Sequence, residues 1–352
     1  MKKILSITVF ILLVGSWGCE KDSEFLNVPP IQVLPENVAF SDPALVLSVL
    51  GDLYNRQLDF SSLDGRPIPE SRPTEPNNPE IEAGWRTFAD FSESFPSENG
   101  SSSIVQRTGW DYGEWRVDWA RSYGYIRDVN LFIQRDSAST KLSEDDKTRF
   151  MAEARFLRAN YYFEMVKRMG GVPLVTTPME YDYKGDATSL QRPRAKESEI
   201  YDFVISEAEA IKNQLPANAD TKSRATKAAA LAMEARAALY AASIAKYGAT
   251  TPQVSLPGGE VGIPASMATG YYAKALAAAQ EIISGSAGAY KLYQVLPDLS
   301  DNFAAIFIDK TSVNQESIFI EDFKVVAKHI LIQQIINLFL YQTRKVVQMQ
   351  DV

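Results

Sequence analysis

Apolar residues recur at helical spacing along most of the chain beyond residue 115, and the helices they predict fall in pairs. Residues 116–135 carry Ala120, Tyr123, Ile126, Val129, Asn130 and Ile133 close to one face. A longer helix follows after a short turn. The next pair is 197–215, with Ile200, Val204, Ala208, Ile211 and Leu215 in register, and the alanine-rich stretch 225–247; Pro216 and Gly248 punctuate their ends. A third unit begins at Tyr271-Tyr272 and runs to Ile283 before Gly285. Upstream, Asp42-Pro43 opens an amphipathic helix carrying Leu45, Val49, Leu53 and Tyr54. Antiparallel helix pairs repeated along a chain, with small residues on one face, predict an all-α superhelix of the tetratricopeptide type.

The stretch from Phe156 to Pro178, FLRANYYFEMVKRMGGVPLVTTP, carries the most information about packing. Phe150, Ala154, Leu157 and Tyr161 form one stripe, while Phe156, Tyr162, Phe163 and Val166 supply apolar surface on other faces. One stripe suffices for a surface helix, so a helix apolar on several faces must be wedged between neighbours. Ser143 is placed to cap it, with Asp146 as the capping-box partner. Glu164 with Lys167 and Arg168 lines the remaining face with charge pairs. Gly170-Gly171 offers a left-handed C-cap and Pro173 forbids continuation.

Between these helices the pattern breaks. Residues 60–115 are dominated by Ser, Pro, Asn and Gly, in clusters such as GRPIPESRPTEPNNPE and SENGSSS. Some fifty residues of irregular chain make either a disordered segment or a functional loop layer, and Trp85, Phe88, Phe91, Phe95 and Trp110 within it favour order. At the N-terminus, Lys2 and Lys3 precede an apolar run from Ile4 to Val14, small residues and then Cys19, so 1–18 reads as a signal peptide. Residues 19–40, with Pro29, Pro30 and Pro35, read as a tether.

Composition narrows the function. The 352 residues are 45% hydrophobic, enough for a sizeable core, and the net charge of -8 lacks the basic footprint that nucleic acids attract. Cys19 is the single cysteine, so no intramolecular disulfide can form in an exported chain, and its position supplies another use. Ser16-Trp17-Gly18-Cys19 resembles a bacterial lipobox, whose cysteine is acylated; the membrane would then be met through the lipid anchor only. Glu20-Lys21-Asp22-Ser23-Glu24 resembles the signal that sends some lipoproteins to the outer surface in Bacteroidetes-type bacteria.

The segment Ala152 to Val175, AEARFLRANYYFEMVKRMGGVPLV, resembles the most recurrent segment of the SusD/RagB family of outer-membrane glycan-binding lipoproteins. Support comes from Tyr125-Ile126-Arg127-Asp128-Val129-Asn130, from Glu197 to Leu215, from Arg224 to Leu231, and from Glu316-Ser317-Ile318-Phe319. The likeness covers roughly residues 19–323. It implies a SusD-like helical domain over 41–323 with a loop insertion at 60–115, and a glycan passed to a SusC-like TonB-dependent porin. After Phe323 the sequence KVVAKHILIQQIINLFLYQTRKVVQMQDV does not resemble the family. Residues 324–352 therefore read as an atypical tail, from either a frameshifted or prematurely ended frame or a real variant.

Candidate chemistry is sparse. The single histidine, His329, lies in that atypical tail, which argues against histidine-based triads and multi-histidine metal sites, and neither a GxxxxGK[ST] nor a strand-borne GxGxxG is present, so no cofactor or metal is expected. A glycosidase needs only two carboxylates, and Asp111, Glu114 and Asp118 beside Trp110 and Trp115 are the place for them; at a helix start they also suit the macrodipole. Binding is the stronger expectation, without catalysis. Sugar rings stack their C–H faces on aromatics and direct hydroxyls at amide and guanidinium groups. Trp85, Phe91, Asn99, Arg107 and Trp110 offer that mixture, with Tyr271, Tyr272, Tyr290 and Tyr293 as weaker candidates. The alternatives are a solenoid adaptor binding a protein or peptide, or a carboxylate glycosidase.

Overall fold

The computed structural model describes residues 36–61, 119–181, 183–217, 222–251, 255–306, 309 and 314–320. Its helices are α1 (Glu36–Ala39), α2 (Pro43–Ser61), α3 (Trp119–Ala138), α4 (Glu144–Met169), α5 (Glu197–Ile211), α6 (Lys227–Gly248), α7 (Ala268–Ile283) and α8 (Leu299–Ile306), and no strand occurs among the described residues. From α3 to α7 each helix packs on its sequence neighbours, while α2 lies across α3 and α4. This serial packing is the expected all-α, tetratricopeptide-like arrangement.

The wedged helix is α4. Consecutive residues on a helix point about 100° apart, so Tyr161, Tyr162 and Phe163, all fully buried, need neighbours on three sides. Tyr161 stacks on Tyr125 of α3 with ring centroids 4.5 Å apart. Tyr162 meets Phe203 of α5 edge-on at 5.3 Å, and Phe163 meets Tyr240 of α6 edge-on at 5.6 Å. Each buried ring contributes about 1.5–3 kcal/mol, so this triplet fixes how three helices sit around a fourth. By composition α6 is long and apolar enough to cross a membrane, yet Ala228, Ala230, Ala237, Ala238, Ala241 and Ala245 are buried. Such small side chains allow close approach to α5 and α7, the behaviour of a core helix.

Charge is buried in α4 as well, always with partners. Glu153, whose side chain is wholly buried, accepts from Arg224 at 2.5 and 2.9 Å, from Arg149 at 2.5 Å and from the Tyr54 hydroxyl at 2.8 Å. Tyr54 Oη in turn accepts from the Ala225 backbone N–H at 2.8 Å. One carboxylate thus ties α2, α4 and the approach to α6 together. Arg155 grips Glu207 of α5 through two nitrogens, at 2.7 and 3.1 Å, and Arg158 reaches it at 3.0 Å.

Several local expectations shift. In α2 the buried stripe is Val46, Leu50 and Leu53, whereas Leu45 is half-buried and Val49 exposed. Core packing begins at Ala39 and Phe40, before the Asp42-Pro43 start. Helix α5 ends at Ile211, four residues short of Leu215, which is nonetheless buried. Ser143 caps α4, accepting from the Asp146 backbone at 3.1 Å, but the Asp146 carboxylate accepts from the Ser143 hydroxyl at 2.7 Å. Aspartate is one methylene shorter than the usual glutamate, so the box closes through the hydroxyl. Gly170 ends α4 at φ 69° and ψ −146°, a glycine-only region distinct from the expected left-handed helical cap.

Candidate functional site

The scaffold gathers its long connections at one end. The Phe40 and Phe132 rings meet at 5.4 Å, and the Tyr125 hydroxyl donates to the Leu53 carbonyl at 3.0 Å, so α2 and α3 run antiparallel. The end of α2 at Ser61 and the start of α3 at Trp119 therefore lie at the same end, and segment 62–118 departs and returns there. Tyr123, near the start of α3, donates to the Pro173 carbonyl at 2.6 Å, which brings the exit of α4 to this end. The Ala195 N–H donates to Val172 at 3.1 Å and so brings the start of α5. Finally Gly171 N–H donates to Glu260 at 2.6 Å and Glu197 N–H to Gly259 at 2.8 Å, docking the α6–α7 connection on the same place.

The segment after α4 is held extended by side chains rather than by a strand partner. The Tyr162 hydroxyl accepts from the Val175 N–H at 2.8 Å and donates to the Val175 carbonyl at 3.1 Å. Asn130 donates to that carbonyl at 3.0 Å, and Arg158 to the Thr176 carbonyl at 2.8 Å. Arg194 returns to cap α4, donating to the Gly171 and Met169 carbonyls at 2.7 and 2.6 Å. Glycines are required here by close approach. A Cβ on Gly170 would sit 2.5 Å from the Glu260 carbonyl oxygen, and one on Gly171 would overlap the Ala195 carbonyl oxygen.

Electrostatics support a rigid frame. Burial raises the Tyr162 hydroxyl to about 12 and the Tyr123 hydroxyl higher still, so both remain protonated donors. Glu197 is raised by burial, opposed by the Gly262 N–H that donates to it at 2.5 Å. Burial would raise Glu207, but the hydrogen bonds and charges of Arg155 and Arg158 hold it below its ordinary value. Two carboxyls lack such support. Asp136, at the opposite end of α3, is wholly buried with no partner on either oxygen and is pushed up to about 7 by burial, with Lys147 opposing and Asp146 adding to the shift. Glu234 of α6 is likewise pushed to about 7, by burial first and then by Glu209 and Glu281, against Lys212. Among the described residues no cluster of His, Cys, Asp and Glu could hold a metal ion.

The sugar-contact candidates Trp85, Phe91, Asn99, Arg107 and Trp110 lie outside the described residues, as do Cys19, Asp111, Glu114, Asp118, Trp115 and His329. The frame fixes only where the segment carrying the first group is attached. Tyr271 is a core residue, its hydroxyl donating to Asp202 at 3.1 Å, and Tyr272 is half-buried beside Lys246. Tyr293 is nearly buried and donates to Asp309 at 2.7 Å, while Tyr290 lies under the Lys222 ammonium at 5.2 Å. The sequence reading overlooked the clamps Tyr123, Asn130 and Arg194, and the exposed Tyr181 and Tyr183 in the 178–192 loop. The Tyr-x-Tyr-x-Gly pattern at 181–185, set among polar residues, was the available signal for the tyrosines.

The three longest connections of this helical-repeat scaffold, 62–118, 170–196 and 249–267, are attached at one end. Residues 77–239 match a SusD-like family model described as "Starch-binding associating with outer membrane", a match that supports the SusD/RagB resemblance. It is similar to the SusD-like protein P25 of Formosa agariphila, at 24% identity over 190 residues covering 50% of this chain and 32% of the relative. It is also similar to a SusD-like protein of Bacteroides ovatus, at 27% identity over 231 residues covering 65% of this chain and 37% of the relative. A SusD-like crystal structure from Bacteroides fragilis aligns at 25% identity and TM-score 0.49, covering 82% of this chain and 46% of that one. The chain thus spans about a third of the length of these curated relatives.

Proposed function

We propose that this chain is a cell-surface glycan-binding lipoprotein of the bacterial outer membrane. It captures oligosaccharides and passes them to a SusC-like TonB-dependent porin, and a lipid on Cys19 holds it facing the exterior. The observation that carries this reading is the match of residues 77–239 to a model described as starch-binding and associating with the outer membrane. The scaffold supports it by attaching the segment with Trp85, Phe91, Asn99, Arg107 and Trp110 at the end where its other long loops converge. Binding without hydrolysis is the better fit, because the matched family model is described by binding and not by a hydrolytic activity.

The test is affinity electrophoresis of the full chain through gels containing soluble starch, laminarin and other neutral polysaccharides. Retardation by at least one is expected, with loss on Trp85→Ala or Trp110→Ala and no release of reducing ends. Full binding by the doubly substituted protein would overturn the assignment of those tryptophans. Protein-only capture with no polysaccharide retained would favour a solenoid adaptor. Cys19→Ala should move the protein from the membrane to the soluble fraction, and co-purification with a porin tests the partner.

A further inference from the structure

Tyr183 is 89% exposed, more than any other large apolar side chain among the described residues, and its φ of 58° is the one positive value there at a residue other than glycine. Both features are unfavourable in an ordinary solvated loop. The left-handed conformation costs an L-residue on the order of 1 kcal/mol, and a fully wet ring forgoes its burial. The loop nevertheless holds the ring in place. Tyr181 meets it edge-on with centroids 5.1 Å apart, and the Tyr181 hydroxyl accepts from the Gly185 N–H at 3.0 Å, closing the turn that carries both rings. A second turn follows it, in which the Asp186 carboxylate accepts from the Thr188 N–H at 2.9 Å. Both ends of the loop are clamped to the scaffold, by Tyr162 at Val175 and by Arg194 at Gly171 and Met169.

We infer that Tyr181 and Tyr183 form a stacking platform for a pyranose ring of a neutral oligosaccharide, apart from the tryptophan-bearing segment. The chemistry distinguishes a sugar from an apolar partner. Exposed residues of the same loop include Glu180, Lys184, Asp186, Thr188 and Gln191, hydrogen-bonding groups that suit the rim of hydroxyls around a stacked pyranose. A hydrophobic peptide face would meet charge instead. A carboxylate has room for several acceptor contacts, so Asp186 can take a sugar hydroxyl while still holding Thr188.

This inference rests on the glycan reading above, and the experiment separates the two. The full chain is run through the polysaccharide gels already named, and the polysaccharide that retards it is used for titration. Tyr183→Ala is expected to weaken binding roughly fivefold to twentyfold, the scale of an aromatic stacking contact, while Tyr183→Phe keeps it. Tyr183→Gly should lose binding with an unfolding midpoint no lower than that of the native chain, because relief of the positive φ offsets the added freedom of the unfolded chain. That contrast separates a ligand contact from a structural residue. Unchanged binding by Tyr183→Ala would overturn the platform and leave the glycan reading standing. A native chain retarded by no polysaccharide would overturn the glycan reading and the platform with it.

Discussion

Asp136 and Glu234 are the two carboxyls that burial pushes to about 7, so their burial works against the fold at neutral pH. Each has a folded-state pKa near 7, against ordinary values of 3.8 and 4.5, so the folded protein holds protons that the unfolded chain releases. The contribution of each to stability is therefore largest at acid pH and is lost as pH rises from about 4 through about 7. Asp136→Asn and Glu234→Gln keep shape while removing the charge. Each is expected to stabilise the protein by ~1–3 kcal/mol at pH 8 and by little at pH 4, as read from denaturant melts at both values. A gain independent of pH would show that neither carboxyl is the cause. Gly171 behaves in the opposite sense. A methyl group there meets the Ala195 carbonyl oxygen, a backbone atom that cannot swing away, so Gly171→Ala should cost about 1–3 kcal/mol at every pH.

Helix α4 shows what is legible in sequence at the level of the element and what is not. Its apolar faces announce a helix wedged among neighbours, and the structure supplies one ring partner each from α3, α5 and α6. In α2, by contrast, PALVLSVLGDLY is apolar at almost every position of its first turns, so stripes through Leu45 and Val49 or through Val46 and Leu50 satisfy helical spacing equally. Docking against α3 and α4 selects the second. The second role of Tyr162 was also hidden, because nothing in its spacing reveals that its hydroxyl pairs with both backbone groups of Val175. Tyr162→Phe tests that role. The ring still packs, but a backbone N–H and a carbonyl lose their partner, so a loss of roughly 1–3 kcal/mol is expected, with faster hydrogen exchange at the Val175 amide. Exchange unchanged at Val175 would mean that Asn130 and Arg158 hold the segment without it.

For the whole molecule, the sequence conveyed the scaffold far better than the site, and the reason is physical. A repeat scaffold is built from local periodicity, which a sequence displays openly, whereas a sugar site is built by loops whose positions depend on what they are attached to. The antiparallel pairing of α2 and α3, argued from Phe40 with Phe132 and Leu53 with Tyr125, places Ser61 and Trp119 at one end of the bundle. Among the described residues the core runs from Ala39 to Tyr271 and is built on helices α2 to α7. Replacing residues 62–118 with a Gly/Ser linker of about 12 residues, reaching on the order of 20 Å, should therefore leave the helical circular dichroism and the unfolding midpoint close to those of the native chain. Glycan retention should fall sharply if that segment carries the principal contacts, with a weak residue of binding that Tyr183→Ala then removes. Collapse of the scaffold on this replacement would show instead that the loop layer is part of the core. Native-like retention by the shortened chain would move the principal site to the 178–192 loop.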